Sequence, residues 1–203
     1  MKFFPVYMAF FTLISSGWLL ASGNIPMTIS TWIGLLVFPV LIIIMYPINT
    51  LIFKAYRGLT DNTFKYETAF QNLISIFLTT LHVPILLSIA GVNIQVGLVT
   101  GVSIGILMIG LGIMLPKTKR NVLFGARTKW SLKDDEVWRK TNQYAGKLFI
   151  WFGVIIMAIG FVSFISIGLF ASMLTLVFAI LMILIEIYSY KLYKSMQLIK
   201  KEI

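Results

Sequence analysis

Residues 68–115 read TAFQNLISIFLTTLHVPILLSIAGVNIQVGLVTGVSIGILMIGLGIML, 48 residues without one Asp, Glu, Lys or Arg. As one helix this stretch would measure roughly 72 Å at about 1.5 Å per residue, over twice the hydrocarbon core of a bilayer. Two spans joined by a turn fit; one does not. The turn falls at Ala90-Gly91-Val92-Asn93, which gives spans over 68–90 and 92–115 in a tight hairpin. Inside lipid each must be a helix, because every backbone amide has to find its partner within the segment.

The same test applied outward gives spans near residues 4–20, 31–53, 148–167 and 169–190, the last two joined by a second short hairpin at 163–168. The expectation is an all-α polytopic membrane protein, a six-transmembrane-helix bundle forming a single integral membrane domain over residues 1–203. Composition agrees: 59% of residues are hydrophobic, 12% are charged, and the mean hydropathy is +0.93. So few charges do not cover a soluble surface of this size. Cysteine is absent, which removes disulfides and thiolate chemistry, and the single histidine, His82, rules out a multi-histidine metal centre. No cofactor is expected.

The net charge of +10 suggests nucleic acid until its distribution is read. Lys2 precedes the first span; Lys54, Arg57 and Lys65 lie between the second and third. Nine lysines and arginines lie between the fourth and fifth, and Lys191, Lys194, Lys200 and Lys201 follow the sixth. The other three connections contain none, so with six spans every cation falls on one side. The positive-inside rule makes that side the cytoplasm, which places both termini there. Direct nucleic-acid binding is not expected; the bilayer is the partner. The first span starts with a lysine and ends near Ala21-Ser22-Gly23, as a cleavable leader does. Its apolar run is longer than most leaders have, and it reads as a retained span.

Within the membrane two features stand out. Gly97, Gly101 and Gly105 recur every four residues in the fourth span, a smooth stripe for a neighbouring helix or a groove for an apolar peptide. His82 lies some eight residues inside the third span, after Thr79 and Thr80 and before Pro84. It reads either as a neutral histidine bonded to a neighbouring hydroxyl or carbonyl, or as a functional group. Glu186 sits five residues before Lys191, beside Tyr188, Tyr190 and Tyr193 in an interfacial belt. It is expected in the opposite half of the bilayer from His82 and not paired with it.

The basic cytoplasmic loop at residues 116–147 carries nine basic and three acidic residues. Ser131 is placed as an N-cap with Asp134 three residues on, a capping box that starts an amphipathic cytoplasmic helix before the fifth span. Asp134, Asp135 and Glu136 then suit the positive end of the helix dipole. Trp138 is expected at headgroup depth, with Arg139 and Lys140 facing phosphates. The loop reads equally as a topology signal in contact with anionic lipid and as a docking surface.

Pro116-Lys117, Asn121, Gly125, Arg127-Thr128, Trp130, Leu132, Trp138 and Gly146 together resemble the signature of the SdpI family. The family pattern is similar to N-x-x-x-G-x-R-T-P-W-T-L, followed by a tryptophan and often a histidine four residues later. Here Lys129 stands for the proline, Ser131 for the threonine and Asn142 for the histidine. The segment between the first two spans also departs from the family, with Pro26 its sole reminder of a P-x-H-W-like stretch.

The resemblance implies a bacterial membrane immunity and signalling protein, not an enzyme. Such a protein protects against a secreted, membrane-active toxic peptide and recruits a cytoplasmic transcriptional repressor. On this reading Asn121, Gly125, Arg127, Thr128, Trp130 and Trp138 are candidates for ligand or partner docking. His82, Gly97, Gly101 and Gly105 are candidates for an intramembrane groove. Asn121, Gly125 and Arg127 read slightly more as loop-folding residues than as binding ones. A small-solute transporter or a lipid-binding membrane protein is the rival reading. Transport is weakened by the single mid-membrane ionisable residue and the lack of an internal repeat. Enzymatic chemistry is weakened by the lack of a nucleophile motif or metal-ligand cluster.

Overall fold

The computed structural model describes residues 3–23, 28–55, 66–121 and 124–202. Among these, all regular structure is helical. Six long helices run α1 (Phe4–Ala21), α2 (Ile29–Ala55), α3 (Glu67–Ile89), α4 (Val96–Met114), α5 (Asp135–Ile159) and α6 (Ile167–Glu202). All six contain segments long and apolar enough to cross a bilayer. Lys2, Pro26, Arg57 and Lys65, used above for topology and family likeness, lie outside the described residues.

The central hairpin is closed by glycine. Gly91 adopts φ +81°, a conformation costly for side chains with a Cβ. It lets Gly91 N donate to Ser88 O at 3.1 Å and Val92 N to Leu87 O at 2.9 Å, the paired bonds of a Schellman ending. Two otherwise stranded carbonyls of α3 are thereby satisfied, and the chain reverses into α4.

α5 begins at Asp135 and is one continuous helix of 25 residues, so the helix expected before the fifth span runs on into it as a single rod. A 3-10 turn at Gly160–Phe164 ends it. α6 has 36 residues, or roughly 54 Å, of which a bilayer core takes only about 30 Å. Its last turns therefore project past the membrane on the basic side.

The packing has two parts. α1, α2 and α3 touch one another, α4 and α5 form the most extensive pair, and α3 bridges to α4. Of the two readings of Gly97, Gly101 and Gly105, a smooth face for a neighbouring helix or a groove for a peptide, the contacts favour the first, because α5 and the turn after it cover the stripe. A Cβ built on Gly101 would lie 2.8 Å from Gly160 Cα, and one on Gly105 would lie 2.6 Å from Gly153 O. At Gly97 it would run into the Ser163 side chain. Two turns past Gly105 toward the basic end, Gly112 and Gly146 are each blocked by the other's carbonyl oxygen at 2.7 Å. Facing glycines thus bring two antiparallel backbones into contact, which is how helices gain dispersion energy in lipid without a hydrophobic drive.

Candidate functional site

At the basic end the loop between α4 and α5 folds into a defined structure. Asn121 is its first fastener: its Nδ2 donates to Lys119 O (2.7 Å) and Phe124 O (3.0 Å). Its Oδ1 accepts Phe124 N at 2.7 Å. Three bonds from one buried side chain close the turn that the backbone alone leaves open.

Gly125 follows at φ +141°, and its Cα faces the Trp138 ring. A Cβ there would meet Trp138 Cζ2 and Cη2 at 2.5 Å. Trp138 itself is 1% exposed, and its Nε1 donates to Thr118 O at 2.9 Å. The expected headgroup anchor is therefore corrected: Trp138 is the core of the folded loop, since its single donor already has a carbonyl partner away from the lipid. Arg139 is engaged with Glu136 through Nε at 2.7 Å, and Lys140 Nζ lies 3.3 Å from the same carboxylate. On an exposed helix face such pairs contribute little stability.

The helix start is also corrected. Asp134, not Ser131, is the N-cap of α5, its Oδ1 accepting Glu136 N (2.9 Å) and Val137 N (3.2 Å). Ser131 opens a short 3-10 turn instead, where its hydroxyl donates to Ala126 O at 2.8 Å. Both side chains suit an N-cap, and proximity to the first apolar repeat decides for Asp134.

Asn142 and Ser189, which sequence reasoning did not place in the site, hold the loop to the bundle. Asn142 Oδ1 accepts Ala126 N at 2.7 Å and its Nδ2 donates to Trp138 O at 3.0 Å. It stands where the family often has histidine, a side chain that also offers one donor and one acceptor; that substitution was the available signal. Thr128 shares a 2.5 Å hydrogen bond with the Ser189 hydroxyl on α6, linking loop and helix end.

Two surfaces result. Trp130 is half-buried against Tyr190 and Tyr193, with ring centroids at 5.0 and 5.3 Å. Lys129 Nζ and Lys133 Nζ lie 4.8 and 5.2 Å from the Trp130 ring centroid, the geometry of cation–π contacts. Beside it opens a cleft of about 270 Å³ between the loop, α5 and α6, lined in part by Gly125, Arg127, Thr128 and Glu186. The structure thus gathers the loop candidates in one place but gives them different parts. Asn121, Gly125 and Trp138 build the loop, while Arg127, Thr128 and Trp130 border its surfaces.

His82 lies in a separate constellation. It is fully buried, with Nε2 at 3.1 Å from Ser16 Oγ on α1. Ser16 Oγ also lies 2.9 Å from Leu35 O, a carbonyl released because Pro39, four residues on, has no N–H. The Ser16 hydroxyl thus bridges the His82 ring and a main-chain carbonyl of a neighbouring helix. Among the described residues His82 Nδ1 has no partner. His82 thus joins three helices and does not border the covered glycine stripe. Ser16→Ala, which unpairs two buried groups, is expected to lower stability by about 1–2 kcal/mol. Thermal unfolding in detergent measures this, and an unchanged Tm would show that these bonds contribute nothing.

Fold and site together define a six-span helical membrane protein whose basic end is a folded loop pinned to its last two helices. Residues 117–189, from that loop through α5 to the serine that holds it, match the SdpI/YfhL protein family. The chain is 29% identical over 177 residues to a protein named Immunity protein SdpI from Bacillus subtilis (strain 168), covering 86% of this chain and 82% of that one. Both findings bear out the resemblance read from the loop. No solved structure matches to significance.

Proposed function

We propose that this chain is a bacterial plasma-membrane immunity protein that protects its host against a membrane-active toxic peptide. The observation that carries this reading is the similarity to an immunity protein over most of both chains. The excess of cations at one end supports an orientation with that end and both termini in the cytoplasm.

The physical form of protection differs from the one sought in the glycine stripe. A laterally open cavity of about 410 Å³ lies between α1 and α2, lined by Ala9, Phe10, Leu13, Ile42 and Pro47 among others. It offers an apolar peptide a dry seat reached from the lipid. At the cytoplasmic end the Trp130 surface, backed by Tyr190 and Tyr193, suits a soluble partner such as a transcriptional repressor, because tryptophan and tyrosine are the commonest anchors of protein contacts.

The test is survival of a toxin-sensitive strain expressing the chain and exposed to the family's toxic peptide. Protection is expected, and it should fall at least about tenfold in an Ala9→Phe variant that fills the cavity. Trp130→Ala is expected to keep protection while losing partner capture. Absence of protection, with the protein verified in the membrane, overturns the reading.

A further inference from the structure

The cleft between the loop, α5 and α6 joins two environments. Its floor is Leu115, Phe149, Met182 and Ile185; its rim carries Arg127 and Glu186. Glu186 lies nineteen residues after Ile167, the first residue of α6, or roughly 29 Å along the axis, about the thickness of the hydrocarbon core. The rim is therefore at headgroup depth and the floor at acyl depth. Met182, one turn deeper than Glu186, is 65% exposed and faces the lipid.

We propose that this cleft binds a zwitterionic aminophospholipid, phosphatidylethanolamine, with its phosphate on Arg127 and its ammonium on Glu186. Among the described residues Glu186 takes part in no ion pair, so its exposed carboxylate at headgroup depth is open to a lipid ammonium. Arginine is the side chain best matched to phosphate oxygens. The charges of the rim complement a headgroup that carries one of each sign. A purely anionic headgroup would set its charge against Glu186. A choline headgroup has no N–H to donate to the carboxylate. The apolar floor takes the first methylenes of an acyl chain, which gain by leaving neither water nor a void.

The site does not rest on the immunity reading, and its test contains no toxin. The full chain in detergent is mixed with equal amounts of phosphatidylethanolamine, phosphatidylglycerol and phosphatidylcholine of the same acyl chains, and adducts are counted by native mass spectrometry. Phosphatidylethanolamine is expected to be retained roughly fivefold or more over the other two. Glu186→Gln should abolish that preference and Glu186→Asp should keep part of it. Glu186 is exposed, so both variants are expected to fold, and thermal unfolding checks it. Equal retention of the three lipids, a preference for phosphatidylglycerol, or a preference untouched by Glu186→Gln each overturns the proposal.

Discussion

Gly105→Leu is expected to be the most destabilising single change in the bundle, at about 3 kcal/mol or more. Overpacking typically costs about 1–3 kcal/mol when side chains can move aside. Here the obstacle includes backbone, since a Cβ at residue 105 would lie 2.6 Å from Gly153 O. The Met157 side chain, also in the way, has rotamers to retreat into; a helix carbonyl does not. Leucine therefore forces α4 away from α5 along their whole contact, and the Gly112–Gly146 approach opens with it. Gly153→Leu should cost a similar amount, because its Cβ would lie 2.8 Å from Gly105 O. Gly17→Ala is the control: nothing lies within 4 Å of its Cβ, and alanine in a helix should gain up to about 1 kcal/mol. Thermal unfolding of the purified variants in one detergent decides the matter. A Gly105→Leu protein that melts with the wild type would mean that the close approach contributes no stability.

Half of that contact was legible in the sequence. The glycines of α4 at 97, 101 and 105 announce a smooth face, but their spacing does not say what covers it. Gly146, Gly153 and Gly160 recur every seven residues, two helical turns, and so also share one face. The pairing of the two stripes became visible only when α5 was seen to run back beside α4. The spans and the one-sided charge were readable because hydropathy over about 20 residues and the positions of lysine and arginine between spans are properties of the linear sequence. The loop was not readable in that way. Trp138 has the same composition signal whether it sits at headgroup depth or under a glycine, and only the contacts of Thr118 and Gly125 separate the two. The N-cap is similar: Ser131 and Asp134 satisfy the same chemistry three residues apart, and the 3-10 turn between them decides which one caps α5.

Gly125→Ala is expected to unfold the loop while leaving the spans inserted. Two independent penalties act at this residue. Its φ of +141° is a conformation that L side chains rarely adopt, a strain of about 1–3 kcal/mol. The added methyl would also stand 2.5 Å from Trp138 Cζ2 and Cη2, and this ring cannot yield cheaply, being buried and tied by its Nε1 to Thr118 O. Turning the backbone to relieve either clash pulls Ala126 N from Asn142 Oδ1, which lies only 3.0 Å from the new Cβ. With those fasteners lost, Thr128 leaves Ser189, and both the cleft rim and the Trp130 surface lose their shape together. Trypsin cleavage after Arg127, Lys129 and Lys133 in vesicles with the loop outward should accelerate at least about tenfold, as an opening free energy lowered by about 1.4 kcal/mol requires. Helical circular dichroism should change little, because the loop contributes few helical residues. A variant as protease-resistant as the wild type would show that the loop tolerates a side chain at 125. The glycine would then have to be explained by something that approaches it from outside the chain.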